Sequence, residues 1–359
     1  MRRGVITLVA AIASFLGVIA LLYETLPARG VAIGGASRIF ADAVVVWEGR
    51  VHEAREQTDG PVIAMVGDSV TMTSREMRRA KKLALPERLA QHLATVEREP
   101  EVRIVPLRWG GLGPLEMFYL ADKLAEAGAD YVILSLNLQS LSPQWTYVMK
   151  ARSALASWIA PARLPSALLL PLQAVGQSAD KVLWLVALRA IGFDPPSRAI
   201  ANLQSRAQLA RERLGITIGH RGSSRQDPEA QRFYHTALFK AISGIRPSNP
   251  PLRLLVAAIT TLEKAGTRVM VVAMPVNLDH WHEYGALPDT RGIGETVATV
   301  REEVTAVGAD FADLHQLLPG RAFRDTIHLR FDEPDDGTQQ AADALAPILA
   351  AALSEAGSR

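Results

Sequence analysis

The apolar positions of this chain follow two rhythms. Short apolar runs bounded by turn residues lie at Val62 to Val66, Val102 to Leu107, Tyr131 to Leu136 and Arg268 to Ala273. Runs of this kind predict strands buried on both faces. Between them, apolar residues recur every three or four positions. Met117, Leu120, Ala121 and Leu124 form one such stripe, stopped by Gly128, and Leu255, Ala258, Ile259 and Leu262 form another, closed by Gly266. Both predict amphipathic helices with glycine at their ends. A basic helix-prone stretch from Ser74 to Leu93 is interrupted near Pro86. A further helix is expected near Gly294 to Val307, then a weak fifth strand around Phe311. A last helix starts near Asp336, with Ala341, Ala344, Leu345, Ile348 and Leu349 on one face and a kink expected at Pro347. Strands alternating with helices predict an α/β fold built on a doubly wound parallel sheet.

Two regions depart from this rhythm. Gly4 to Tyr23 is uncharged and mostly apolar, follows Arg2 and Arg3, and precedes Glu24. Its length matches the roughly 20 residues that cross a bilayer as a helix, and the flanking charges place the short end inside. A cleaved signal peptide is the alternative, but the apolar run is longer than the roughly 7–15 residues of a signal-peptide core, and LLYETLPARG offers no convincing cleavage site. Either way the bulk of the chain is expected outside the cytoplasm. The second region, Pro143 to Pro250, is rich in Ala, Leu, Arg and Pro. Its apolar pieces Pro165 to Val175 and Val182 to Ile191 are too short or too broken to span a membrane. It reads as a helical insertion between the two halves of a sheet. The expected organisation is an anchor over 1–23, a spacer over 24–60 and an α/β domain over 61–359. That domain divides into 61–142, the insertion 143–250, and 251–359.

Composition narrows the chemistry. Hydrophobic residues make up 48% of the chain, ample for a large core. The formal net charge is +2, which makes no electrostatic case for a nucleic-acid partner. Cysteine is absent, so disulfides, thiol nucleophiles and Cys-based zinc sites are excluded. His280-Trp281-His282-Glu283 reads as a loop rather than a metal site, and Asp332 to Asp336 as an acidic lead-in to a helix amino terminus. No cofactor is called for.

The first strand ends abruptly at Gly67-Asp68-Ser69. A serine there lies in the crevice where α/β folds place ligands. Acyl transfer through it needs an imidazole to take its proton, a carboxylate to orient the imidazole, and donors for an oxyanion. Of eight histidines, His328 is best placed. It precedes the terminal helix, and Asp325 stands three residues before it, close enough to fold back onto its Nδ1. Asp313-x-His315 is the runner-up pair. Gly110, Gly111 and Gly113 follow the second strand, where glycine lets a backbone N–H approach a substrate. Asn137 ends the third, where its amide can donate to the same oxygen.

The order of these features resembles the SGNH (GDSL-like) hydrolase superfamily, named for Ser, Gly, Asn and His in four blocks. Gly67-Asp68-Ser69-Val70 is similar to the first block. Arg108-Trp109-Gly110-Gly111-Leu112-Gly113 looks like the second, with Arg where Asn is usual. Ser135-Leu136-Asn137 resembles the third without its Gly and following Asp, and Asp325-x-x-His328 fits the last. The resemblance implies Ser69 as nucleophile, His328 as general base and acid, and Asp325 as its orienter. It implies an oxyanion hole from the N–H of Ser69, the N–H of Gly110 (or Gly111) and the side chain of Asn137. It also implies a flavodoxin-like order for the sheet and, with the anchor and Met274-Pro275-Val276-Asn277 after the fourth strand, a likeness to envelope acyl-transfer proteins of the DltD-like and AlgJ-like groups. The expected function is a membrane-anchored esterase or O-acyltransferase. Its substrate would be an envelope polysaccharide or a small acyl ester, and its partner a multi-spanning membrane acyltransferase. A non-catalytic scaffold on the same fold and a lipase or lysophospholipase are the alternatives.

Overall fold

A computed structural model describes residues 35–71, 77, 79–96, 102–142, 242–283 and 291–357. Five strands form its centre: β1 (Val62–Gly67), β2 (Arg103–Arg108), β3 (Tyr131–Leu136), β4 (Arg268–Ala273) and β5 (Asp310–Asp313). Their order is β2-β1-β3-β4-β5, and each neighbouring pair is parallel. This is the order of flavodoxin-like sheets, in which ligands bind beyond the strand carboxyl ends, where the order reverses between β1 and β3. The apolar runs account for the interior strands, since every position of β1 and β3 is buried. β2 lies at an edge and is only partly buried, which is where Pro106, lacking an N–H, is tolerated.

Seven α-helices flank the sheet among the described residues. They are α1 (Gly35–Gln57), α2 (Leu85–Val96), α3 (Pro114–Glu126), α4 (Pro250–Lys264), α5 (Leu278–Glu283), α6 (Arg291–Thr305) and α7 (Gly337–Gly357). Alternate strand residues point to opposite faces. Val62, Ala64 and Val66 therefore join one core with Val132, Leu134, Val269 and Val271, under α1, α3, α4 and α6. Ile63 and Met65 join the other with Ile133, Met270 and Val272, under α2 and α7. Both predicted stripes, on α3 and α4, are buried, and the two helices pack side by side.

Two expectations change. Residues 35–57, expected as a spacer whose helical period is poor, form a regular helix packed on the sheet. Phe40, Val44, Trp47, Val51 and Ala54 recur at helical spacing and are buried, while the adjacent Val45 and Val46 face outward and blur the pattern. The Trp47 Nε1–H also donates to the Val105 carbonyl at 3.1 Å, tying α1 to β2. The helix-prone stretch is interrupted as expected, over residues 80–84, and Pro86 stands in the first turn of the helix that follows, α2, where its missing N–H is not needed. His280 to Glu283 is helical, not a loop. The terminal helix runs on through Pro347. The expected anchor over 4–23, and the insertion from 143 to 241, lie outside the described residues. Among the described residues no helix is long and apolar enough to cross a membrane.

Candidate active site

The site begins in the turn after β1. The Asp68 carbonyl accepts from the Thr71 N–H at 3.2 Å and the Thr71 hydroxyl at 2.9 Å, which closes the turn around Ser69. Gly67 is required here for close approach. A Cβ at this position would collide with the Thr71 side chain, and its φ is not in the left-handed region. Asp68 is buried, and its side chain turns inward. One oxygen accepts from the Val70 N–H at 3.0 Å and the other from the Asn137 Nδ2 at 3.1 Å. Burial pushes the Asp68 carboxyl above its ordinary range, against the pull of those two hydrogen bonds and the nearby His328.

The histidine arrives on a loop between β5 and α7. An antiparallel bridge, Phe323 to Leu329, forms the stem, and the Arg324 N–H donates to the His328 carbonyl at 2.7 Å. Phe323, Ile327 and Leu329 are buried in the second core and anchor this stem. Asp325 folds the tip. Its Oδ1 accepts from the N–H groups of Ile327 at 3.0 Å and His328 at 2.8 Å, the self-bonding turn that Asp forms readily. Its Oδ2 accepts from the His328 Nδ1 at 2.8 Å. With that proton on Nδ1, Nε2 is the acceptor, and the Ser69 hydroxyl donates to it at 2.9 Å. Three side chains from opposite ends of the domain thus form one hydrogen-bonded chain at the carboxyl edge of the sheet.

The electrostatics agree with that geometry. Burial opposes the charged form of Asp325. The hydrogen bonds from the His328 ring, the His328 N–H and the Ile327 N–H outweigh it and hold the carboxyl at about 2. The hydrogen bond to Asp325 raises His328 above the ordinary imidazole value. Burial and Arg324 oppose the rise, and the charges of Asp325 and Asp68 assist it.

The runner-up pair lies elsewhere. The His315 Nδ1 and Asp313 Oδ1 are 2.5 Å apart, so this pair too is hydrogen bonded. Its Nε2, however, is buried with no partner among the described residues, and the Asp313 carboxylate is shared with Arg301 at 2.7 Å. His92 is also drawn off, pairing with Asp343 at 2.9 Å between α2 and α7.

The glycine loop is held beside the serine turn. The Trp109 N–H donates to the Gly67 carbonyl at 3.1 Å, and the Leu112 N–H closes a turn onto the Trp109 carbonyl at 3.0 Å. Gly111 occupies this turn with φ +74°, which favours glycine over any other residue. At its exit, the buried Glu116 accepts from the Gly113 N–H at 2.7 Å, and Pro114 starts α3. Gly110 is the exposed residue of this turn. Asn137 is buried at the end of β3. Its Oδ1 accepts from the Gln139 N–H at 3.1 Å, so its Nδ2 is the face turned to Asp68. Two roles escape the sequence reading: that of the inward carboxylate of Asp68, and that of Asn277, whose place in Met274-Pro275-Val276-Asn277 after β4 is legible but not its partner. The Asn277 amide donates to the Asp325 carbonyl at 3.0 Å. Its position just past a strand, like that of Asn137, is the signal that was there to be read. Among the described residues, no group of three His, Asp or Glu side chains is placed to hold a metal.

No protein-family model matches the chain, and no curated protein matches it in sequence. Among solved structures, an extracellular lipase from Streptomyces rimosus matches with a TM-score of 0.28 and 11% sequence identity. The match covers 81% of this chain and 99% of the lipase chain. A likeness of that size carries nothing about activity.

Proposed function

We propose that this chain is a serine esterase or O-acyltransferase of the SGNH type, working through an acyl-enzyme on Ser69. One observation carries the reading: Ser69, His328 and Asp325 are joined by hydrogen bonds of 2.9 and 2.8 Å beside the β1 turn. A hydroxyl so bonded to a carboxylate-oriented imidazole is arranged for nucleophilic catalysis.

The Ser69 oxygen attacks the acyl carbonyl as its proton passes to the His328 Nε2. Asp325 keeps the ring oriented and favours the imidazolium that forms. The N–H groups of Ser69 and Gly110 and the second Nδ2 hydrogen of Asn137 receive the developing oxyanion. The C–O bond to the leaving alcohol then breaks, and His328 returns the proton to it. In the second half, water or an acceptor hydroxyl gives its proton to His328 and attacks the acyl-enzyme. Water completes hydrolysis, and a sugar hydroxyl completes transfer. The uncharged stretch over 4–23 supports a membrane-anchored form with the domain outside the cytoplasm, where envelope glycans and a membrane-embedded acyl donor would be its partners.

Labelling with a fluorophosphonate probe tests the reading. The folded protein is expected to label at Ser69, and S69A is expected to give no label. Turnover of a short-chain nitrophenyl ester is expected to fall by about 10⁴–10⁶ in S69A. Folded wild-type protein that takes no label would overturn the enzymatic reading in favour of a scaffold. Mass spectrometry of the full chain after incubation with acyl donors would identify the group carried on Ser69.

A further inference from the structure

The loop that carries His328 is folded by its own hydrogen bonds and seated by the buried side chains of Phe323, Ile327 and Leu329. Its stem is the Phe323–Leu329 bridge, and its tip is folded by Asp325. Among the described residues, both hydrogen bonds that reach the backbone of residues 325 and 326 from outside the turn come from Asn277. The Asn277 N–H donates to the Thr326 carbonyl at 3.1 Å, and its Nδ2 donates to the Asp325 carbonyl at 3.0 Å. Asn277 is itself firmly seated. It is buried, the preceding Val276 N–H donates to the His315 carbonyl at 3.1 Å, and its Oδ1 accepts from the His280 N–H at 3.0 Å. Gly320 packs so closely that a Cβ there would stand 3.0 Å from the Asn277 Oδ1 and 2.5 Å from the Asp279 Oδ2.

Asn137 and Asn277 have the same design at the ends of neighbouring strands. Each uses Oδ1 to cap the next turn and Nδ2 to hold a piece of the site. Asn137 holds Asp68, beside the nucleophile, and Asn277 holds Asp325, beside the base. We infer that Asn277 is a positioning residue, which clamps the Asp325–His328 turn to the end of β4 so that Nε2 stays within hydrogen-bond reach of Ser69. It touches neither reacting atom. The inference rests on the reading of Ser69 and His328 given above. The physical reason is distance: a displacement of about 1 Å at a reacting pair costs on the order of a hundredfold in rate.

The test must separate the clamp from the cap. N277S keeps a capping oxygen, since serine caps helices as well as asparagine does, but its hydroxyl is too short to reach the Asp325 carbonyl. In the full chain held in detergent, N277S is expected to melt with the wild type. Its kcat on nitrophenyl acetate is expected to fall about tenfold, with KM unchanged, for loss of one hydrogen bond to the turn. His328 is faced by Asp325 and Arg324 from its own loop and by Asp68 from the β1 turn, with His280 of α5 near Asp325. A loosened Asp325 supports the imidazolium less, so the His328 titration, followed by NMR of labelled histidines, is expected to move to lower pH. Folded N277S with wild-type kcat and wild-type titration overturns the inference, and so does a fall in kcat with an unmoved titration. Should N277S melt early, N277D has the same size and capping oxygen but an acceptor where the donor stood. It is expected to lose kcat likewise, and wild-type turnover in N277D overturns the inference. The NMR readout needs no turnover. A wild type that takes no probe defeats the esterase reading while the titration still reports on the clamp.

Discussion

Asp68, the residue before Ser69, carries its carboxylate into the protein. Two donors meet it there, the Val70 N–H and the Asn137 amide. The second matters for chemistry, because it decides which way the Asn137 amide faces. In D68N one of the two acceptor oxygens becomes a donor, and it confronts another donor. The fold is expected to survive in a neutral variant of the same shape, while kcat falls by about ten- to a hundredfold, in line with the loss of a hydrogen bond to a charged group. Steady-state kinetics beside a melting curve would check both halves. In the proposed mechanism His328 sets the pH dependence. It must be neutral to take the Ser69 proton, and its hydrogen bond to Asp325 favours the charged form. Activity is therefore lost as pH falls through the raised value. The acid limb of kcat/KM is expected above the ordinary imidazole value of 6.5. D325N removes the support for the imidazolium. Its limb is expected to move to lower pH, and its kcat to fall by on the order of 10⁴. A pH–rate profile of both proteins reads the displacement.

Helix α1 shows how an element can hide in its own sequence. The buried stripe from Phe40 to Ala54 is regular, but Val45 and Val46 sit beside it and face outward at 61% and 56% exposure. Apolar residues on both sides flatten the amphipathic signal, and only packing shows which side is core. Trp47 decides the point, being 2% exposed and bonded to β2. W47A is expected to cost about 3–5 kcal/mol, the usual toll for removing a buried aromatic, and thermal melting would measure it. A marginal effect would mean that 35–57 is a spacer after all. The strands behaved differently. β1, β3 and β4 are legible as apolar runs because burial on both faces leaves no alternation to confuse. Asp325-x-x-His328 was legible for another reason: an Asp folds the next residues onto its own carboxylate without help from distant chain.

At the scale of the molecule, the sheet order brings the site together. β1 lies between β2 and β3, so the serine turn, the glycine loop and Asn137 meet at one edge by construction. The β5–α7 connection returns across the same edge and delivers His328 to Ser69, 259 residues away in sequence. Local spacing permits both pairs, Asp325–His328 and Asp313–His315. Both pairs are in fact hydrogen bonded. What separates them is where the second ring nitrogen points: one reaches the serine, and the other ends in the protein interior.

The residues alone determined what short-range forces determine: the buried strands, the amphipathic helices on α3 and α4, the turn at Gly67 to Ser69, and the self-folding Asp325 loop. Tertiary structure decided three things: that α1 covers the sheet, which histidine bonds to Ser69, and that asparagines past two strand ends bond to Asp68 and to the Asp325 carbonyl. The reason is range. Strand and turn preferences act over a few residues, whereas a hydrogen bond between distant side chains exists only once the whole sheet has set the gap between them.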